Sequence, residues 1–207
     1  MNFDFSEEQL ALKEEARKFL AAKCPPDRVR KLMDEDSPGF DPELWAQVAE
    51  QGWLGAAIPE EHGGLGLGYL ELCCISEELG RAVAPVPFAS TVYFFAEALL
   101  RAGTPEQKAK YLPQVVTGEL IGTIASAEQA GAVSVANVSA EVSGGKLTGV
   151  KMPVTDGVVA HHAVVLAKEG GKPTLYLVDL NGPGVTREAV ITIDRSREAA
   201  RVEFKDA

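Results

Sequence analysis

The stretch Gly103-Thr104-Pro105-Glu106-Gln107-Lys108, continued by Tyr111-Leu112-Pro113 and closed by Gly118-Glu119, decides the fold, because the chain changes period across it. Thr104 to Gln107 reads as a capping box with proline at the first helical position, so a short helix is predicted from there to about Leu112. After Gly118 the helical period stops. Short runs of valine, isoleucine and leucine follow, separated by the turns Ser143-Gly144-Gly145, Glu169-Gly170-Gly171 and Asn181-Gly182-Pro183-Gly184. His162–Ala167, Thr174–Val178 and Arg201–Phe204 have the length and β-branching of strands, and Gly144-Gly145 and Gly170-Gly171 have the composition of hairpin turns. No βαβ alternation is present, which disfavours a Rossmann domain.

Upstream of that stretch the pattern is helical. Ser6-Glu7-Glu8-Gln9 is another capping box, followed by Leu12, Ala16, Phe19 and Leu20 at helical spacing. Pro25-Pro26 stops this helix. Asp41 caps a second, with Pro42 at its first position, Leu44, Trp45, Val48 and Ala49 as its apolar stripe, and Gly52 at its end. A glycine-rich loop precedes a third helix from about Tyr69 to Val83, and a strongly apolar helix from Thr91 to Leu100 ends at Gly103. The expected architecture is an N-terminal all-α helical bundle, residues 1–118, followed by a small antiparallel β-barrel or sandwich domain, residues 119–207.

The chain has 207 residues and a net charge of -10. Such an acidic balance argues against a nucleic-acid partner or an anionic lipid surface. No apolar run approaches the ~20 residues of a membrane helix. The opening Met1-Asn2-Phe3-Asp4-Phe5 carries no signal segment, so a cytoplasmic location is expected. Cys24, Cys73 and Cys74 read as reduced thiols rather than a disulfide framework.

Bare motifs carry little chemistry. Gly63 to Gly68 fits neither the dinucleotide nor the P-loop pattern and reads as a connector. His161-His162 would point to opposite faces of a strand, so one metal ion cannot easily take both. Cys73-Cys74 lies on a helix, where adjacent residues do not face each other. Glu77-Glu78 reads as a solvated helix face.

Taken in order, however, the segments resemble the acyl-CoA dehydrogenase family. Phe5-Ser6-Glu7-Glu8-Gln9 is similar to the family's opening. Ile58-Pro59-Glu60-Glu61-His62-Gly63-Gly64-Leu65-Gly66 resembles its PE-x-x-GG-x-G signature, and Glu77-Glu78-Leu79-Gly80 its EELG helix. Gly103 to Lys108, Tyr111-Leu112-Pro113 and Gly118-Glu119 resemble its G-T-x-E-Q-K, YLP and GE run. Gly149-Val150-Lys151 and Asp194-Arg195-Ser196 match landmarks of its β domain.

The resemblance implies an N-terminal helical domain, a central β domain and a C-terminal four-helix domain. It implies FAD as cofactor, α,β-dehydrogenation of an acyl-CoA thioester, and an electron-transfer flavoprotein as electron acceptor. A homodimer or homotetramer, or a heteromer with a paralogue, is expected. The family's glutamate base belongs to the C-terminal domain, which lies outside these residues. No catalytic residue is therefore assigned, and the chain alone is expected to be inactive. A non-catalytic subunit pairing with an active paralogue is the alternative.

The family's T-E-P-x-x-G-S-D stretch, which holds flavin and pyrophosphate, corresponds to Ser126-Ala127-Glu128-Gln129-Ala130-Gly131-Ala132-Val133-Ser134. Ala127 stands where the family has a flavin-bonding threonine and Gln129 where it has proline; Gly131 and Ser134 are the expected phosphate-facing positions. The second stretch, W-[IV]-[TS], reads Pro153-Val154-Thr155. Ser126, Ala127, Gly131, Ser134, Val154 and Thr155 are thus the expected cofactor contacts. Ser134 and Phe88, the latter in Pro85-Val86-Pro87-Phe88-Ala89-Ser90, are the expected substrate contacts.

Overall fold

A computed structural model describes residues 4–34, 39–129, 131 and 133–207. Its helices are α1 (Glu7–Lys23), α2 (Pro26–Asp34), α3 (Pro42–Glu50), α4 (Tyr69–Arg81), α5 (Glu97–Ala102) and α6 (Pro105–Val116). Its strands are β1 (Gly122–Ala125), β2 (Glu141–Ser143), β3 (Lys146–Thr155), β4 (His162–Glu169), β5 (Lys172–Asp179), β6 (Val185–Val190) and β7 (Ala199–Phe204). None of the described helices is long and apolar enough to cross a membrane. The chain divides into two compact units, residues 1–86 with 104–119, and residues 87–103 with 120–207.

The first unit is helical. Both capping boxes form as the sequence predicts, Ser6 with Gln9 on α1 and Thr104 with Gln107 on α6. Asp41 caps α3 by accepting from the Leu44 N–H, and Arg28 of α2 forms an ion pair with the same carboxylate. The core is built from Ala16, Leu20, Leu44, Val48, Leu54 and Ile75, each no more than 1% exposed. Three local expectations change. Pro25-Pro26 stops α1, but Pro26 also opens α2, because a missing N–H is harmless in a first turn. Helix α6 runs past Pro113 to Val116, held by the fully buried Leu112 and Val115 on either side. The glycine loop is tied down rather than free: Leu65, Gly66 and Leu67 donate their N–H groups to the carbonyls of Gly55, Ile58 and Ala56. A Cβ on Gly64 would lie 2.0 Å from the Ile58 carbonyl oxygen, so glycine is required for that backbone approach.

Glu78 corrects another expectation. It is 1% exposed rather than solvated. Arg17 of α1 grips its carboxylate with two hydrogen bonds, of 3.0 and 2.9 Å, and Arg81 adds a third at 3.1 Å. The Arg17 hydrogen bonds hold the Glu78 pKa below the ordinary carboxylate value. An amphipathic pattern cannot distinguish a solvated glutamate from one covered by an arginine of a neighbouring helix and another of its own.

The second unit carries one seven-stranded sheet, in the order β1-β4-β2-β3-β7-β6, with β5 paired to β4. Both predicted hairpins form, β2–β3 about Gly144-Gly145 and β4–β5 about Gly170-Gly171, with all four glycines at positive φ. The sheet is mixed rather than antiparallel: β1 and β2 each pair with β4 in parallel. It is also not closed, so the expected barrel is an open sheet. Parallel neighbours distant in sequence leave no turn signature, which is why alternation and glycine pairs did not reveal them.

The sequence suggests a single cut near Gly118, yet residues 87–103 group with the sheet. The reason is a π-helical stretch, Ala89–Ala96, that leads into α5 and packs on β1. Its Thr91 hydroxyl donates to the Gly122 carbonyl (3.3 Å) and accepts from the Gly122 N–H (3.2 Å). Phe95, fully buried, lies against Gly122, where a side chain would not fit.

Candidate cofactor site

Two of the predicted stretches meet in the second unit. The chain leaves β1 at Ala125 and continues through Ser126-Ala127-Glu128-Gln129. The Ala127 carbonyl accepts the Met152 N–H at 2.8 Å, and the Thr123 hydroxyl donates to the Thr155 carbonyl at 2.6 Å. The segment after β1 and the far end of β3 are thereby locked side by side.

A bulge in β3 sets what this end presents. Lys151 pairs with Val202, but Val154 pairs with Ala200, so one extra residue stands on β3. Lys151 and Val154 are both fully buried, Pro153 is exposed and Thr155 is half-buried. Strict alternation would put Thr155 on the same buried face as Lys151. The bulge moves it to the other face, the kind of re-aiming bulges provide.

Ser126, Ala127, Glu128, Gln129, Ser134 and Asn137 line a shallow recess at the end of β1. It encloses about 20 Å³, room for about one water molecule, so it forms one rim of a site rather than an enclosing pocket. Gly131 and Ser134 are exposed, and Gly131 has φ +107 with nothing within 4 Å of an added Cβ. Among the described residues, the hydroxyls of Ser126, Ser134 and Thr155 are not engaged in hydrogen bonds. Ala130 and Ala132, within the same stretch, lie outside the described residues. Phe88 is 2% exposed and packs edge-on against Tyr93, with ring centroids 5.4 Å apart. Its side chain therefore meets protein rather than the recess.

The strongest electrostatic feature here was not singled out from sequence. Glu128 accepts from the Ala140 N–H (2.9 Å), from the N–H and hydroxyl of Ser139, and from Lys151 Nζ at 2.7 Å. Burial raises its pKa, but the Lys151, Ser139 and Ala140 hydrogen bonds outweigh that and bring it down to about 2. The Lys151 side chain is 0% exposed and that of Glu128 13%. The available signal was a lysine at an inward strand position, which calls for a buried partner.

A second buried polar contact braces the same strand end. The Ser90 hydroxyl, in the π-helical stretch, donates to Asp156 at 2.5 Å, and Asp156 directly follows Thr155. Burial raises the Asp156 pKa, against the lowering effects of Ser90 and Arg197. His161 plays a backbone role: its Nδ1 accepts the Ile121 N–H at 3.0 Å, and burial lowers its pKa. A larger concavity, about 510 Å³, lies in the helical unit among Leu20, Cys24, Val29, Met33 and Val83, and holds none of the predicted site residues.

Residues 6–119 match the family model described as acyl-CoA dehydrogenase, N-terminal domain. The chain belongs to the acyl-CoA dehydrogenase family. A mitochondrial isovaleryl-CoA dehydrogenase of Solanum tuberosum is 35% identical over 170 residues, covering 79% of this chain and 41% of its own length. A chain of the ChsE4-ChsE5 complex from Mycobacterium tuberculosis superposes with a TM-score of 0.88 at 31% identity, covering 100% of this chain and 56% of that one. A glutaryl-CoA dehydrogenase from Mycobacterium smegmatis, in complex with FADH2, gives a TM-score of 0.83 over 98% of this chain and 53% of that one. At 21% identity that likeness speaks for the fold alone. The chain spans under half the length of the curated relatives it matches. Members of this family are oxidoreductases and flavoproteins.

Proposed function

We propose that this chain supplies the cofactor cradle of an FAD-dependent acyl-CoA dehydrogenase, acting on the α,β bond of an acyl-CoA thioester. The observation that carries the reading is the meeting of the two flavin-facing stretches through the Ala127–Met152 and Thr123–Thr155 hydrogen bonds. The donor set fits the group: neutral hydroxyls that make no hydrogen bond among the described residues are suited to phosphate and ring oxygens. Ser126 and Ser134 would hold the phosphates, Gly131 would let backbone approach them, and Thr155 would bond the ring. Ala127 and Val154 would contribute backbone groups. When bound, the flavin supplies the hydride acceptor, and the protein supplies position and polarity.

Ala127, Gln129 and Pro153 depart from the family pattern. A lost hydrogen bond costs ~1 kcal/mol, about fivefold in affinity, which weakens binding without abolishing it. Ser134 remains the proposed substrate contact, and Phe88, buried against Tyr93, is proposed to act only indirectly, through the packing of Tyr93. No base is assigned among the described residues. We further propose a second copy or a paralogue as partner, an electron-transfer flavoprotein as acceptor, and a cytoplasmic location; size-exclusion chromatography with light scattering and a tagged protein in cells test the first and last.

The central test is spectroscopic. The chain loaded with FAD is mixed anaerobically with butyryl-CoA or octanoyl-CoA. Flavin bands that persist unbleached agree with a chain that binds but lacks the base. Full bleaching would show a complete active site within these residues and overturn that part of the proposal.

A further inference from the structure

Glu128 is the one ionisable side chain among the described residues lining the recess at the end of β1. It stays ionised across the neutral range, because its hydrogen bonds hold its pKa at about 2. A fixed negative charge is a poor neighbour for a phosphate, and the chain as a whole carries a net charge of -10. Yet the carboxylate is needed where it is: it fastens the backbone at Ser139 and Ala140 to the segment that follows β1. Lys151 resolves the conflict from behind. Its ammonium is fully buried, reaches no solvent, and spends its charge on Glu128 at 2.7 Å. A lysine placed only for packing would be a costly choice, since burying an ammonium is expensive unless it is paired.

We propose that Lys151 is a positioning and charge-setting residue: by neutralising Glu128 from the protein interior, it makes the recess admit an anionic phosphate or pyrophosphate group. The proposal rests on the flavin reading and deepens it, naming what lets the dinucleotide's charged half, rather than its ring, be accepted. Lys151 need not touch the ligand. Ser126 and Ser134 make the contact, and the Glu128–Lys151 pair sets the potential they sit in.

The test compares a charged and an uncharged flavin on the full chain. FAD and riboflavin are titrated separately into wild type, Lys151→Met, Lys151→Arg and the double variant Glu128→Gln/Lys151→Met, following flavin fluorescence. Circular dichroism on each variant verifies that the sheet is retained. In Lys151→Met the uncompensated carboxylate should weaken FAD by about tenfold or more, while riboflavin changes by less than about twofold. Lys151→Arg should restore FAD binding, and so should the double variant, which removes both charges. The double variant also keeps the test alive if Lys151→Met folds poorly. A purely structural role would weaken both flavins together and gain nothing from the double variant; that pattern overturns the proposal. Wild type that binds neither flavin overturns the flavin reading itself. In that case inorganic pyrophosphate, followed by the amide resonances of Ser126 and Ser134, still decides the charge role. Shifts that vanish in Lys151→Met and return in the double variant support it, and wild type without shifts refutes it.

Discussion

Gly122→Ala offers the sharpest test of how the second unit is built. A Cβ placed on Gly122 would lie 2.1 Å from Phe95 Cγ, 2.4 Å from Cδ1 and 2.7 Å from Cβ, where ordinary contacts begin near 3.4 Å. Phe95 is 0% exposed and cannot swing into solvent, so either β1 or the π-helical stretch must move. Thr91 ties these two elements together through both backbone groups of Gly122, so any movement also strains those hydrogen bonds. Overpacking of a closed core costs ~1–3 kcal/mol, and this site belongs at the upper end, about 2–3 kcal/mol. At ~2–4 °C per kcal/mol for a chain of this size, the melting temperature should fall by about 4–12 °C. Phe95→Ala alone should cost ~3–5 kcal/mol through the cavity it leaves. In the Phe95→Ala background, Gly122→Ala should cost less than about 1 kcal/mol, because two of the three close approaches are gone and only the Cβ contact remains. Urea denaturation followed by circular dichroism measures all four corners of the cycle. A neutral Gly122→Ala, or costs that simply add, would refute the packing of residues 87–103 on β1.

Other perturbations follow from the buried polar groups. Glu78→Ala should cost about 1–3 kcal/mol, below the ~3–5 of a fully buried pair because Arg17 and Arg81 are 53% and 56% exposed; tryptophan fluorescence, from Trp45 and Trp53 of the same unit, reads it out. The folded pKa of Glu128, about 2, lies below its ordinary 4.5, so the unfolded chain takes up that proton first as pH falls. The stability this group provides, roughly 3 kcal/mol, should be present above about pH 4.5 and lost between there and about pH 2. Glu128→Gln should flatten that part of the stability–pH curve, and parallel curves would refute it. Asp156 has a raised pKa, so its ionisation works against folding as pH rises past the unfolded value. Asp156→Asn, which still accepts from Ser90 and tolerates φ +54, should leave stability at pH 7 unchanged or higher; a loss above about 1 kcal/mol would count against it.

Much of the fold was legible because its signals are local. Capping boxes at Ser6 and Thr104, proline at Pro42, and glycine pairs at 144–145 and 170–171 each act within four residues, and each formed as read. What the sequence concealed is non-local. The parallel pairing of β1 with β4 joins Gly122 to His162, forty residues on, with no turn to announce it. The helix from Ala89 looked like part of the bundle because apolar periodicity reports that a face is buried, not against what. The candidate site divides the same way. Thr155 and Ser126 were proposed from resemblance alone, whereas the bulge that turns Thr155 to the other face of β3 depends on register with β7. Glu128 was visible in the first stretch and Lys151 in the Gly149-Val150-Lys151 landmark, but their pairing needed three dimensions. Their separation of 23 positions gives no pattern that a reader of spacings would recognise.

The cradle itself is tested most directly by an equilibrium titration of the chain with FAD, alongside Ser126→Ala and Thr155→Ala. Saturable binding that quenches flavin fluorescence, weakened about fivefold by each loss of a hydroxyl, is the predicted result. No saturable binding, or binding that both substitutions leave untouched, would contradict the assignment of the recess at β1 to the cofactor.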